Sequence, residues 1–267
     1  PVVLLTSTVN SPSSKAVIAE FLAKYPGSRH VQYDGISYSG MLLANEASFG
    51  SRMIPSYAFD KAKVIVSLGA DFLGTWLNPV EFQHGYTRGR KVDPKNPSMS
   101  KHYQFESMLS MTGANADDRY THRPSETGAV AAALLSAING QGAAGISDAA
   151  LKKGIEQAAK DLAANKGQAL VVAGSNDVNV QLIVNAINDA VGSYGTTIDL
   201  VSKLQNKAGI DAEFAKLVEE MNAGSVGAVL VYDVNPAYDY FDAEKFIAGL
   251  KKVRVSVSFN EKMDETT

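Results

Sequence analysis

Residues 64–71 read Val-Ile-Val-Ser-Leu-Gly-Ala-Asp, and this stretch decides the fold. Its first five positions form an almost continuous apolar run, without the alternation of a half-buried strand. Such a run is typical of a strand that is buried on both faces, as the strands of a parallel sheet are. The small residues that follow are typical of a tight turn from a strand into a helix. The sequence therefore predicts a parallel sheet here.

Similar runs recur along the chain and alternate with helical patterns. The predicted strands are 2–7, 31–34, 64–68, 169–173, 197–201, 226–232 and 253–259. Helix starts are recognisable between them: Ser11 stands before Pro12, Ser147 precedes an amphipathic stripe, and Asp211 and Asp242 are placed as N-caps. This alternation predicts an α/β fold of βαβ units with right-handed crossovers and a mostly parallel sheet.

The runs fall into two predicted domains. The first α/β unit covers 1–139 and contains a long irregular insert at about 75–121. A Gly/Ala-rich linker follows at 140–145, and the second α/β unit covers 146–267. The chain starts at Pro1 and stops just after a strand-like run, which we interpret as a piece of a longer protein.

Composition excludes several classes of function. The 267 residues carry a net charge of -3 and no basic stripe, which argues against nucleic acid as a partner. The longest apolar runs are strand-sized, so no direct membrane insertion is expected. The absence of cysteine excludes disulfides, thiolate nucleophiles and cysteine-ligated zinc or iron–sulfur sites within this sequence.

The candidate ligand-binding residues follow three predicted strands. They are Gly69 and Asp71, Gly174 and Asn176, and Asn235. Ligands of open parallel sheets bind beyond the carboxyl ends of the strands, where small residues expose backbone N–H groups. The simpler interpretation is that these residues only form tight turns. No complete dinucleotide or phosphate-loop fingerprint is present, and no catalytic or metal-binding residues are predicted.

The segment 106–128 is polar and rich in Gly, Asp and Ser, so it suggests a working site at first sight. No metal, nucleophile or phosphate pattern accompanies it, and 111–118 is therefore expected to be an ordered surface or interface element. His84, His102 and His122 lie in or beside the predicted insert, and a surface or interface role is expected for them.

Several short motifs carry a resemblance to a known family. They are Ser67-Leu-Gly-Ala-Asp71, Arg123-Pro-Ser-Glu-Thr127, Asn235-Pro236 and, imperfectly, Glu265-Thr-Thr267. Together they resemble the molybdopterin oxidoreductase superfamily. Within it, Gly69-Ala-Asp-Phe-Leu-Gly-Thr-Trp76, Gly89-Arg90, Phe105-Glu-Ser107 and Met111-Thr-Gly-Ala-Asn-Ala-Asp117 resemble the large iron–sulfur subunit of alternative complex III, a quinol:cytochrome c oxidoreductase.

This resemblance implies two Rossmann-like units of the formate dehydrogenase/DMSO reductase fold. It implies a scaffold domain that has lost its molybdopterin, so the candidate residues would mark a vestigial pterin groove and this domain would not itself be catalytic. Iron–sulfur clusters would lie in a missing ferredoxin-like domain. The partners would be that domain and other subunits of a membrane-bound respiratory complex, on the periplasmic side of the bacterial cytoplasmic membrane.

Two alternatives stay open. The chain could be a fragment of an active molybdopterin-dependent oxidoreductase, with the remaining cofactor-binding parts elsewhere. It could also be a nucleotide-binding module of another α/β family, which the strand ends permit although no fingerprint supports it.

Overall fold

A computed structural model of the chain describes residues 1–95 and 97–267. The chain divides into two compact units. Unit 1 consists of Pro1–Leu42 and Gln205–Thr267, and unit 2 consists of Leu43–Leu204.

The strands and helices alternate for most of the chain. The strands are β1 Val2–Thr6, β2 Arg29–Gln32, β3 Ile54–Tyr57, β4 Val64–Leu68, β5 Lys101–Glu106, β6 Asp118–Thr121, β7 Ala169–Ala173, β8 Ile198–Leu204, β9 Ala228–Tyr232 and β10 Val255–Ser258. The helices are α1 Pro12–Lys24, α2 Ser39–Phe49, α3 Pro79–Arg90, α4 Met111–Ala114, α5 Thr127–Ile138, α6 Ala149–Ala164, α7 Val178–Ala190, α8 Asp211–Asn222, α9 Pro236–Asp239 and α10 Ala243–Leu250.

Unit 1 contains a parallel sheet, sheet A, with the strand order β10-β9-β1-β2. One face of sheet A packs against α8 and α10. Val3, Leu5 and Val31 of the sheet meet Phe214 and Phe246 of the two helices there. Phe246 is fully buried, and burying a side chain of this size stabilises the fold by about 1.5–3 kcal/mol.

Unit 2 contains a second parallel sheet, sheet C, with the strand order β6-β5-β4-β7. One face of sheet C packs against α5, α6 and α7. Aromatic residues that flank β4 in sequence form a cluster, in which Phe59 stacks on Phe72 with ring centroids 4.3 Å apart and the ring centroids of Trp76 and Phe82 are 5.7 Å apart. β3 and β8 form a separate antiparallel pair, sheet B, so the predicted strand at 197–201 does not join a parallel sheet.

The structure confirms an α/β fold with parallel sheets, but it corrects two predictions. The region 75–121 is not irregular, because it contains α3, β5, α4 and β6, and β5 is an inner strand of sheet C. The two compact units also differ from the predicted domains 1–139 and 146–267. β7 pairs with β4 across the predicted linker, and β1 pairs with β9 from the far end of the chain.

Two of the four predicted helix caps are confirmed by the structure, and the other two lie one residue from the observed cap. Ser11 and Asp242 cap α1 and α10 through their side chains. Asp148, rather than Ser147, caps α6 by accepting a hydrogen bond from Leu151 N at 2.7 Å. Asp211 is the first residue of α8, where its negative charge is favourable beside the helix N-terminus.

Candidate functional site

The carboxyl edge of sheet C brings together two of the predicted glycines. Gly69 follows β4 with a φ of 70°, a conformation that favours glycine. Gly174 follows β7, and its N–H donates to Leu68 O at 3.0 Å. A Cβ atom at position 174 would lie 2.4 Å from Gly69 O, so the backbones of the two turns are in contact. Position 174 therefore requires glycine, because two main-chain segments approach each other closely there.

Gly174→Ala is expected to lower the free energy of unfolding by about 1–3 kcal/mol, because the added methyl meets backbone that has little room to move. Urea unfolding followed by circular dichroism would measure this change. Gly128→Ala is the matched control: Gly128 lies in α5 and a Cβ there would have only an ordinary 3.7 Å contact with Val180. That substitution should be neutral or stabilising, and equal losses in both variants would contradict the prediction.

Asp71 anchors the short helix α4 to the same edge. Its Oδ1 atom accepts hydrogen bonds from Thr112 N at 3.0 Å and from Thr112 Oγ1 at 2.8 Å. Thr112 Oγ1 in turn accepts from Leu73 N at 2.9 Å. These contacts hold the loop after β4 against the segment after β5. The structure therefore shows that Asp71 holds this loop in place.

The other two candidate residues follow strands of different sheets, Asn176 after β7 of sheet C and Asn235 after β9 of sheet A. Asn176 is exposed in the turn between β7 and α7. Asn235 belongs to unit 1, at the carboxyl end of β9, where its side chain donates to Glu265 Oε2 and accepts from Thr266 Oγ1, both at 2.7 Å. Gly69, Asp71, Gly174 and Asn176 thus follow strands at one edge of sheet C, whereas Asn235 lies at the carboxyl edge of sheet A. Whether any of them binds a cofactor stays a prediction.

β5 carries a buried row of polar side chains that was not predicted from the sequence. His102, Gln104 and Glu106 lie on one face of the strand, and each is buried. His102 Nε2 lies 3.2 Å from Gln104 Oε1, and Gln104 Nε2 donates to Glu106 Oε2 at 3.0 Å. Tyr86 Oη lies 3.1 Å from His102 Nδ1. This orientation of Gln104 places the proton of a neutral His102 ring on Nε2.

Glu106 ends this row and is held by several donors. Arg119 Nε lies 2.5 Å from Oε1, and Ser110 Oγ donates to Oε2 at 2.6 Å. Burial opposes ionisation of the carboxyl, but the hydrogen bonds from Ser110, Arg119 and Gln104 outweigh it and lower the pKa of Glu106. The carboxylate therefore fixes the loop after β5 and the following strand β6.

The three histidines near this region have different environments. His102 is fully buried, which differs from the surface or interface role expected for it, whereas His84 is exposed. His122 is also buried. Its Nε2 lies 3.0 Å from Thr127 Oγ1, and no described residue is a partner for its Nδ1. Among the described residues, no group of three His, Cys, Asp or Glu side chains is placed to hold a metal ion.

Unit 1 presents a different kind of candidate site, an open apolar face of sheet A. Val255, Val257 and Phe259 follow one another on the same face of β10 and its end, and they are 44%, 37% and 59% exposed. Tyr232 of β9 lies beside them and is 41% exposed. Strands of parallel sheets normally have both faces covered. The described part of the chain therefore leaves the β9 and β10 part of this face uncovered.

An apolar groove lies between this open face and α1. The groove has a volume of about 530 Å³, and its walls include Val17 and Phe21 of α1 and Leu230 of β9. No residue of α1 is fully buried, and Val17 is 65% exposed. A groove bounded by an incompletely packed helix and an exposed sheet face is typical of an interaction surface.

β10 also forms an open edge of sheet A, because β9 is the strand that pairs with it. The N–H groups of Val255 and Phe259 donate toward β9, to Gly227 O and Val231 O. The intervening residue Ser256 therefore turns its backbone groups away from β9. Unpaired edge groups of this kind can accept a further strand.

None of the described helices is both long enough and apolar enough to cross a lipid bilayer. No family model matches the sequence, and no curated protein matches it. Among solved structures, this chain is similar to a chain of the formyltransferase/hydrolase complex (FhcABCD) from Methylorubrum extorquens, solved in complex with methylofuran. The TM-score is 0.55 at 15% sequence identity, over 89% of this chain and 71% of that chain. At this identity the likeness shows the fold alone.

This comparison corrects the family expected from the short motifs. The similar solved chain belongs to a formyltransferase/hydrolase complex, and not to a molybdopterin oxidoreductase or a respiratory complex. The predicted membership of the molybdopterin oxidoreductase superfamily and of alternative complex III is wrong, and so is the predicted role in quinol oxidation. The motifs that suggested it, such as Gly69-Ala-Asp71 and Asn235-Pro236, are turns at strand ends, and many α/β folds require small residues at such turns.

Proposed function

We propose that this chain is a structural subunit of a multi-protein assembly, in which a different polypeptide covers the open face of sheet A. The observation that carries the proposal is the exposure of Val255, Val257 and Phe259 on a parallel sheet. Covering the exposed 59% of Phe259 would contribute about 1–2 kcal/mol to association. An apolar helix is the element that normally covers a parallel sheet.

The similar solved chain supports this proposal, because it is itself part of a complex. We propose for this chain only that it has partner subunits, and not that it takes part in formyl chemistry. A likeness at 15% sequence identity shows the fold alone. The groove beside α1 fits the same role, since a partner helix could fill it and complete the packing of Val17.

Val257→Asp is expected to weaken the assembly by about 30-fold or more. The substitution would place an unpaired carboxylate in an apolar interface, at a cost of about 2 kcal/mol or more. The full chain would be tagged and isolated from its source cells, and native mass measurement would give its size and composition. We expect wild type in a complex larger than the 28.4 kDa chain and the variant as the free chain.

Val201→Asp is the matched control, since Val201 is a strand valine of unit 2 that is 88% exposed. It should leave the complex intact. Hydrogen exchange should also show protection of 255–259 in the complex relative to the free chain. A monomeric wild type, a complex of copies of this chain alone, or an equal response of both variants would each contradict the proposal.

A further inference from the structure

A basic pocket lies at the amino edge of sheet C, in unit 2. Its volume is about 600 Å³, and its walls carry three cations, Lys61, Lys63 and Arg88, against one carboxylate, Asp60. The whole chain has a net charge of -3, so this local excess of positive charge is unusual for the molecule. A positively lined concavity concentrates anions.

Two cations of this pocket, Arg88 and Lys63, are weakly neutralised, whereas Lys61 interacts with the carboxylate of Asp199. Arg88 Nη1 lies 4.0 Å from Asp60 Oδ2, the outer limit for an ion pair. Within residues 1–95 and 97–267, Lys63 has no ion-pair partner. Arg88 lies in the last turn of α3, where a cation is favourable for any helix. Lys63 lies outside any helix, so the same reason does not account for it.

Ser100 supplies an independent observation in the same pocket. Its side chain is 4% exposed, and no described residue is a hydrogen-bond partner for its Oγ. Its backbone groups are occupied, since its N–H donates to Gly89 O and its carbonyl accepts from Arg90 Nη1. A buried hydroxyl without a hydrogen-bond partner is uncommon in folded proteins, and a bound ligand would supply the missing partner. The hydroxyl can donate its proton to an anionic oxygen.

The mouth of the pocket is open. Gly167 and Gly195 contribute to its rim, and a Cβ atom at either position would meet no other atom within 4 Å. The volume is typical of small-molecule sites and exceeds what a free phosphate ion needs.

We propose that this basic pocket binds the phosphate group of a small phosphorylated molecule. A phosphate dianion matches the net charge of three cations and one carboxylate, and its oxygens can accept from Ser100 Oγ and from the Lys63 ammonium. The remaining volume accommodates the rest of the molecule. The pocket lies at the edge of sheet C opposite Gly69, Asp71 and Gly174, so it is a separate site and does not depend on the proposed assembly role.

Titration of the full chain with inorganic phosphate and with glycerol 3-phosphate tests this proposal. The readout is the amide NMR signals of Ser100, Gly167 and Gly195, with glycerol and with sodium chloride of equal ionic strength as comparison titrations. Saturable shifts are expected with the two phosphates only. Ser100→Ala should weaken binding about 10-fold, as loss of a charge-assisted hydrogen bond does, and Lys63→Gln should weaken it several-fold.

Lys153→Gln is the control variant, because Lys153 is an exposed lysine of α6 outside this pocket. It should bind both phosphates as wild type does. The proposal is overturned if chloride produces the same shifts, if no titration saturates, or if Lys153→Gln and Lys63→Gln weaken binding equally. Unchanged affinity in Ser100→Ala would also overturn it. Tighter binding of glycerol 3-phosphate than of phosphate would identify a phosphorylated molecule, and not the free ion, as the ligand.

Discussion

Replacing Glu106 with alanine is expected to lower the free energy of unfolding by about 3 kcal/mol. The substitution removes the acceptor for Arg119 Nε, Ser110 Oγ and Gln104 Nε2 in one step. Breaking one partner of a buried ion pair typically costs about 3–5 kcal/mol. The lower end of this range applies here because the Arg119 side chain is 29% exposed, so water can hydrate its guanidinium group after Glu106 is removed. Urea unfolding followed by circular dichroism measures the change.

Two further variants make the result specific to the carboxylate of Glu106. Glu106→Gln keeps the shape and one acceptor oxygen, so its loss should be smaller than that of Glu106→Ala. Glu156→Ala removes an exposed glutamate of α6 and should change stability by less than about 0.5 kcal/mol. If Glu106→Ala proves as mild as Glu156→Ala, the buried row on β5 does not hold the fold together.

The second large effect is a loss of stability in acid that depends on His102. Burial lowers the pKa of His102 from 6.5 to about 4, although the hydrogen bond with Gln104 opposes this shift. Arg90 also lowers the pKa, whereas Asp117 and Glu106 raise it. The unfolded chain therefore binds a proton at a pH where the folded chain does not. The folded state is stabilised above pH 6.5, and this stabilisation is lost as pH falls toward 4.

The expected loss is roughly 3 kcal/mol between pH 7 and pH 4, at about 1.36 kcal/mol for each unit of pKa difference. His102→Gln should remove this component of the slope, because glutamine does not titrate. His84→Gln should retain it, because His84 is exposed. Urea midpoints measured at intervals from pH 7 to pH 4 would show the slopes. An identical slope in wild type and His102→Gln would contradict the assignment to His102.

The parts of the fold that sequence could predict are those in which burial is purely apolar. The predicted strands 64–68 and 169–173 agree residue for residue with β4 and β7, whose positions are all buried. β5 was missed because Lys-His-Tyr-Gln-Phe-Glu alternates two aromatic residues with polar ones. Those polar residues would ordinarily face solvent, yet His102, Gln104 and Glu106 bury by bonding to one another. The sequence of β5 has the alternation of a strand, but the polar face of this strand is buried.

The division into units could not be predicted because it depends on pairing between distant segments. β1 pairs with β9, and β4 pairs with β7. Neither partner can be identified from local patterns. The candidate site had a similar outcome: the turn chemistry of Gly69 and Gly174 was recognisable, but their mutual contact required the structure. The open face of sheet A could not be predicted for another reason. Val-Ser-Val-Ser-Phe at 255–259 alternates as a strand with one buried face does, yet its apolar residues are exposed.

The pairing of β1 with β9 has a consequence for how the protein is made. A ribosome that adds roughly 5–20 residues each second needs on the order of 10–45 s to travel from β1 to β9. Unit 2 is continuous in sequence and is synthesised entirely within that interval. We therefore expect it to fold first, while Val3 and Leu5 still lack their neighbours on β9, α8 and α10. A message truncated before β9 should yield a folded unit 2 preceded by β1 and β2, with the β9 edge of β1 unpaired and prone to aggregation.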